Sequence, residues 1–130
     1  ASWQSTGYNI TNSNITSLIM YNGTMFAGTL GGGVFKSTNQ GFSWAEFNQG
    51  LLNFHISCFT AAGSNMYCGT FGAGVFKSSN AGIEWVQVNN GLFNTTIMGL
   101  SNSGTKLLAA TQSGVFATVD AGANWIQFNQ

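Results

Sequence analysis

Short runs of alternating hydrophobic and polar residues succeed one another along this chain, and they come in groups of four. Ile15–Tyr21 is an apolar-rich run that stops at Asn22-Gly23, a dipeptide suited to the left-handed turn of a tight hairpin. Thr24–Thr29 follows as a second strand, and Gly31-Gly32-Gly33 breaks it. Val34–Ser37 predicts a third strand. A polar turn from Ser37 to Ser43 reverses the chain, and Trp44–Asn48 predicts a fourth. No segment carries a helical period, so the group reads as four short antiparallel strands.

The group then repeats. Ile56 stands 41 residues after Ile15, Tyr67 stands 41 after Phe26, and Gly74–Ser78 repeats Gly33–Ser37 letter for letter. A third, slightly shorter copy keeps Ile97, Leu107–Thr111 and Gly114-Val115-Phe116. The four tryptophans, Trp3, Trp44, Trp85 and Trp125, lie 41, 41 and 40 residues apart. A fixed period near 40 marks one supersecondary unit copied in series. A lone four-stranded sheet cannot bury both of its faces, whereas sheets stacked around an axis can. The expected fold is therefore all-β: β-propeller blades of four antiparallel strands, three of them complete. They span residues 15–51, 54–92 and 95–130. Residues 1–10, with Trp3 at the position of Trp44, align with the fourth strand of a preceding blade and predict one extra, unpaired outer strand.

Closed propellers need at least about four blades, and three are present. Further blades are expected, from copies of this chain or from the rest of a longer one. The chain opens on Ala1 with no basic-then-apolar leader, consistent with a removed signal peptide or with a piece of a longer protein. Unclosed blades would expose apolar faces that monomers do not leave open. An isolated monomer is thus not expected to be the stable species.

Composition narrows the function. Only 5% of residues are charged and the net charge is zero: Lys36, Lys77 and Lys106 against Glu46, Glu84 and Asp120, with no arginine. Such a chain has no electrostatic footprint for nucleic acid or for an anionic membrane surface. It also lacks the net charge that keeps copies apart in solution. No apolar run approaches the ~20 residues of a spanning helix. An extracellular, self-associating protein fits these features. Four sequons, at Asn9, Asn14, Asn22 and Asn94, are no more than the abundance of Asn, Ser and Thr accounts for.

The phrase before each later tryptophan is the strongest motif. It reads Ser37-x-Asn39-x-Gly41-x-x-Trp44, then Ser78-x-Asn80-x-Gly82-x-x-Trp85, then Thr118-x-Asp120-x-Gly122-x-x-Trp125. This phrase resembles the Asp-box, or BNR repeat, and the flanking Gly-Val-Phe-Lys-Ser resembles secreted bacterial BNR-repeat proteins and photosystem assembly-factor propellers. The resemblance implies a structural turn at the blade periphery. The Asx side chain accepts backbone N–H bonds in its own turn, Gly supplies the unusual φ, and the hydroxyl adds a local bond. Asn39 and Asn80 stand in for Asp, since Asn accepts the same bonds and tolerates left-handed geometry.

Enzymatic readings fare poorly. The resemblance brings in sialidases, which bind a substrate carboxylate with arginines, and none is present here. Paired-carboxylate glycoside hydrolysis would have to use Glu46, Glu84 or Asp120, and repeat logic places none of them near a central channel. His55 is the sole histidine and has no partner base, while Gly31-Gly32-Gly33 lacks the Lys and the helix of a phosphate loop. No residue is read as catalytic, cofactor-binding or metal-ligating. The expected role is a non-catalytic interaction and assembly module. Two alternatives stand beside it: neutral-glycan binding between blades by aromatic, amide and hydroxyl side chains, and assembly-factor-like binding of a protein. Cys58 and Cys68 fall on neighbouring strands of one blade. The turn at Ala62–Asn65 is ambiguous by one residue. One register makes the pair a candidate cross-strand disulfide; the other leaves two packed free thiols.

Overall fold

A computed structural model describes residue 10 and residues 14–128. Twelve strands form three four-stranded antiparallel sheets. The first holds β1 (Ile15–Tyr21), β2 (Thr24–Thr29), β3 (Gly33–Ser37) and β4 (Ala45–Glu46). The second holds β5 (Ile56–Ala62), β6 (Asn65–Thr70), β7 (Val75–Ser78) and β8 (Val86–Gln87). The third holds β9 (Ile97–Ser103), β10 (Lys106–Thr111), β11 (Gly114–Thr118) and β12 (Ile126–Phe128). Within each sheet the strands are neighbours in chain order. These are the meandering blades that the hydrophobic pattern predicts. The expected outer strand around Trp3 lies outside the described residues.

The sheets converge on their first strands: β1 packs beside β5 and β5 beside β9. Between the first two sheets sits a core built on Phe26, Val34, Ile56, Met66, Phe76 and Trp85. Between the second and third sits its counterpart, built on Tyr67, Val75, Ile97, Leu107, Phe116 and Trp125. The second blade thus lends alternate side chains to both cores, as a period of two requires. A smaller cluster of Ala27, Phe35 and Trp44, with Ile10 against it, lies on the other face of the first sheet.

Each first strand carries a bulge near its start. Ile15 pairs with Thr29, but Ser17 pairs with Gly28; likewise Ile56 pairs with Thr70, but Cys58 with Gly69. The extra residue turns Ile56 into the core it shares with the preceding blade. It also decides the cysteine register. Cys58 lies opposite Gly69, and Cys68 lies opposite Phe59. Cys68 therefore joins the core shared with the first blade, and Cys58 packs against the core shared with the third. Both are free thiols, so the candidate disulfide gives way to the one-residue slip.

Candidate functional site

The repeated turn is built alike in all three blades. Gly41 N–H donates to Ser37 Oγ at 2.8 Å, and Ser37 Oγ–H donates to Asn39 Oδ1 at 2.9 Å. Asn39 Oδ1 also accepts the Ser43 N–H at 3.0 Å. The second turn repeats these bonds with Ser78, Asn80, Gly82 and Glu84. The third does so with Thr118, Asp120, Gly122 and Asn124. The hydroxyl and Asx oxygens of the motif are thus bonded inside their own turn. The left-handed residues are not Asn39 and Asn80. They are the next two in line: Gln40 and Gly41, Ala81 and Gly82, Ala121 and Gly122, with φ between 57° and 90°. The Asx side chain holds the turn from an ordinary backbone conformation, and the residue after it carries the strain.

Asp120 is the one carboxylate among the three Asx residues. Bonds from the Asn124 amide side chain, the Thr118 hydroxyl and the Asn124 N–H hold it at about 2, below the ordinary 3.8. These donors favour the charged form, and the carboxylate is committed to them. The other two carboxylates, Glu46 on β4 and Glu84 beside Trp85, are exposed in different blades. His55 is exposed as well, in a bridge with Leu30. Among the described residues no group of three or more His, Cys, Asp or Glu converges. Burial pushes both thiols up, Cys68 furthest, away from the reactive thiolate.

Trp85 and Trp125 reach backwards. Trp85 Nε1–H donates to the Phe47 carbonyl at 3.0 Å, and its backbone N–H donates to the Gln49 carbonyl at 2.9 Å. Trp125 bonds to the Val88 and Asn90 carbonyls in the same way, at 2.7 and 2.8 Å. Each tryptophan therefore clasps the linker that leaves the preceding blade. Trp44 Nε1–H donates to Gly41 within its own turn. The linkers approach so closely that a Cβ on Gly50 would stand 2.0 Å from the Trp85 carbonyl oxygen.

Four residues at this joint escape a motif-based reading. Asn48 Oδ1 accepts the Val34 N–H at 2.7 Å, and Asn89 Oδ1 accepts the Val75 N–H at 2.8 Å. Lys36 Nζ reaches the left-handed Ala81 carbonyl of the next blade at 3.4 Å while lying 4.6 Å from the centre of the Phe47 ring. Lys77 repeats the reach to Ala121. The signal was present, because Asn48 and Asn89, like Lys36 and Lys77, recur at the 41-residue step. Ala117 replaces this lysine in the third blade.

The end faces differ from the internal ones. Val34 and Val75 are fully buried at 0% exposure, while Val115, their counterpart on the outward face of the third blade, is 37% exposed. Phe128 is exposed where Phe47 and Val88 are half-buried. At the other end Ile56 and Ile97 are 0% exposed, whereas Ile15 is 41% exposed and Leu18 and Met20 are more open still. These repeat positions are core in the middle of the stack and surface at its ends, while Ala27, Phe35 and Trp44 on the outward face of the first sheet stay buried. The described residues include no helix long and apolar enough to cross a membrane.

Solved structures share this fold. An ancestral GH74 enzyme superposes on 99% of the chain with a TM-score of 0.77 at 20% identity. The extracellular domain of a one-component system protein from B. thetaiotaomicron covers 94% with a TM-score of 0.72 at 14% identity. YCF48 from Cyanidioschyzon merolae covers 91% with a TM-score of 0.71 at 16% identity. The chain spans 20%, 17% and 38% of those three proteins respectively. They are β-propeller proteins, and at these identities the likeness is one of fold. No protein-family model and no curated protein matches the sequence.

Proposed function

We propose that this chain is a non-catalytic, extracellular assembly module of Asp-box type, whose two open sheet faces are completed by further blades of the same repeat. One observation carries this reading: Val115 and Ile15 are open at the ends of the stack although their repeat counterparts are sealed inside it. Open apolar sheet faces are costly in water, and further blades would bury them as the internal ones are buried. The chain's modest share of each neighbour's length is consistent with a segment of a larger propeller. The repeated turns serve as internal staples in this reading, and the three scattered carboxylates supply no acid–base pair. The near-absence of charge suits a module that associates.

The experiment is the mass of the native particle by light scattering. The expected result is a particle heavier than the 13.7 kDa of the chain. A compact, soluble monomer of that mass overturns the proposal.

Neutral-glycan binding has one feature in its favour. A depression of about 260 Å³ between the second and third blades is lined by Asn65, Tyr67, Thr105 and Asp120, among others. Its aromatic ring is withheld, because Tyr67 is buried, and Asp120 is already bonded within its turn. Saturable binding of a defined neutral sugar on a glycan array would favour that reading over assembly.

A further inference from the structure

The two open faces carry the two halves of an interface that the chain makes twice within itself. At each internal joint an isoleucine presses over a glycine of the preceding blade. The Cβ of Ile56 lies 3.0 Å from where a Cβ on Gly28 would stand, and that of Ile97 lies 2.9 Å from the same point on Gly69. Opposite each glycine on the first strand stands a small side chain, Ser17 or Cys58. The third blade exchanges the pair. Gly99 now occupies the first strand and Ala110 the second, and they face each other across the ladder. Nothing lies within 4 Å of the space a Gly99 side chain would fill.

The exchange leaves an open depression of about 310 Å³ on that face, lined by Gly99, Leu100, Ser101, Leu108, Ala110 and Val115. Its free volume is shifted from the second strand to the first, from above Ala110 to above Gly99. At the opposite end of the chain Ile15, the repeat counterpart of Ile56 and Ile97, is 41% exposed. Bulk lost from one face reappears on the other. Leu108 replaces Phe26 and Tyr67, while Met20 replaces Ala61 and Asn102. Ala27, Phe35 and Trp44 on the first blade's face are already buried, so the open contact belongs to its first strand, at Ile15, Leu18 and Met20.

We infer that the partner is a second copy of this chain, joined head to tail, with Ile15 of one copy seated over Gly99 and Ala110 of the other. This rests on the assembly reading above and names its partner. Such a contact is heterologous and closes into a ring if the rotation permits.

The test is the double variant Ile15→Cys with Ala110→Cys under mild oxidation. Their internal counterparts, Ile56 and Gly28, are spaced at 3.0 Å between real and constructed Cβ positions, and a disulfide spans ~3.5–4.5 Å. The inference expects the double variant to form a two-copy species on a non-reducing gel and each single variant to remain unlinked. A second variant, Gly99→Leu, puts bulk into the depression, and its Cβ meets nothing of its own chain within 4 Å. It is expected to keep the circular dichroism of the parent while the particle falls to one copy. A particle that stays at two copies with Gly99→Leu overturns the inference. So does linking by Ile15→Cys alone, which would mean that like faces meet, or a multi-copy particle in which the double variant does not link. In all three cases the assembly reading stands. A parent chain that is monomeric throughout overturns both.

Discussion

Replacing Gly50 and Gly23 by alanine in turn separates the blade–blade clasp from ordinary turn strain. Both glycines have left-handed backbones, with φ of 90° and 78°. An alanine held there costs ~1–2 kcal/mol at either position. The surroundings differ. A Cβ at Gly23 meets nothing within 4 Å, but one at Gly50 would lie 2.0 Å from the Trp85 carbonyl oxygen. That oxygen belongs to the backbone, so no rotamer change relieves the clash, and the linker must retreat from the next blade. Retreat breaks the Trp85 N–H bond to Gln49 and the Trp85 Nε1–H bond to Phe47, each worth ~0.5–1.5 kcal/mol net. The expected loss is therefore about 2–5 kcal/mol for Gly50→Ala against about 1–2 for Gly23→Ala. At roughly 3–5 °C per kcal/mol for a chain of this length, the two melting temperatures should differ by several degrees. Equilibrium urea unfolding followed by tryptophan fluorescence reads the difference directly. Equal losses would mean that the close approach of linker and tryptophan does not join the blades.

Two further predictions concern single polar groups. The Asp120 carboxyl is held at about 2, below the ordinary 3.8, so its stabilising effect is complete above the ordinary value and fades as pH falls through the folded one. Melting temperature should drop between pH ~4 and pH ~2, and Asp120→Asn, which installs the residue found in the other two turns, should flatten that drop; parallel curves for parent and variant would refute the assignment. Ser17 Oγ is, among the described residues, the buried side-chain oxygen with no hydrogen-bond partner. Ser17→Ala should therefore leave stability unchanged or raise it by up to ~1 kcal/mol, whereas Ser78→Ala, which orphans the buried Gly82 N–H, should cost ~1–3 kcal/mol. Urea midpoints that rank the two variants the other way would refute this.

The fold was legible where its causes are local. Ile15–Tyr21 and Thr24–Thr29 are strands residue for residue, because an apolar run ending at Asn-Gly leaves the chain little choice. The fourth strands were not. Trp44–Asn48 reads as one run, yet β4 is only Ala45–Glu46. Asn48 spends its side chain on the Val34 N–H, and in the second blade Trp85 turns its N–H groups toward a linker up to 38 residues earlier. The cysteine register was illegible for a similar reason. The bulge that sets it serves Ile56, whose destination is the core shared with another blade. Nothing within the Cys58–Cys68 hairpin announces that demand.

The candidate site has a different relation to sequence. Val34, Val75 and Val115 are equivalent letters in equivalent phrases, and any pattern that finds one as core finds all three. Their burial diverges because, among the described residues, a sheet packs over the first two and not over the third. Exposure is therefore a property of position in the stack, which a period cannot encode. Departures from the period can. Ala110 in place of Gly28 and Gly69, Gly99 in place of Ser17 and Cys58, Ala117 in place of Lys36 and Lys77, and Met20 in place of Ala61 all fall on the two end faces. The internal joint between the first two blades keeps Gly28, Lys36 and Ile56, and the next keeps Gly69, Lys77 and Ile97. A face that only needed to be hidden from water could keep the repeat's own residues. Compensating changes on both end faces are what a joint between those two faces would require, since every loss of bulk on one has to be met by the other.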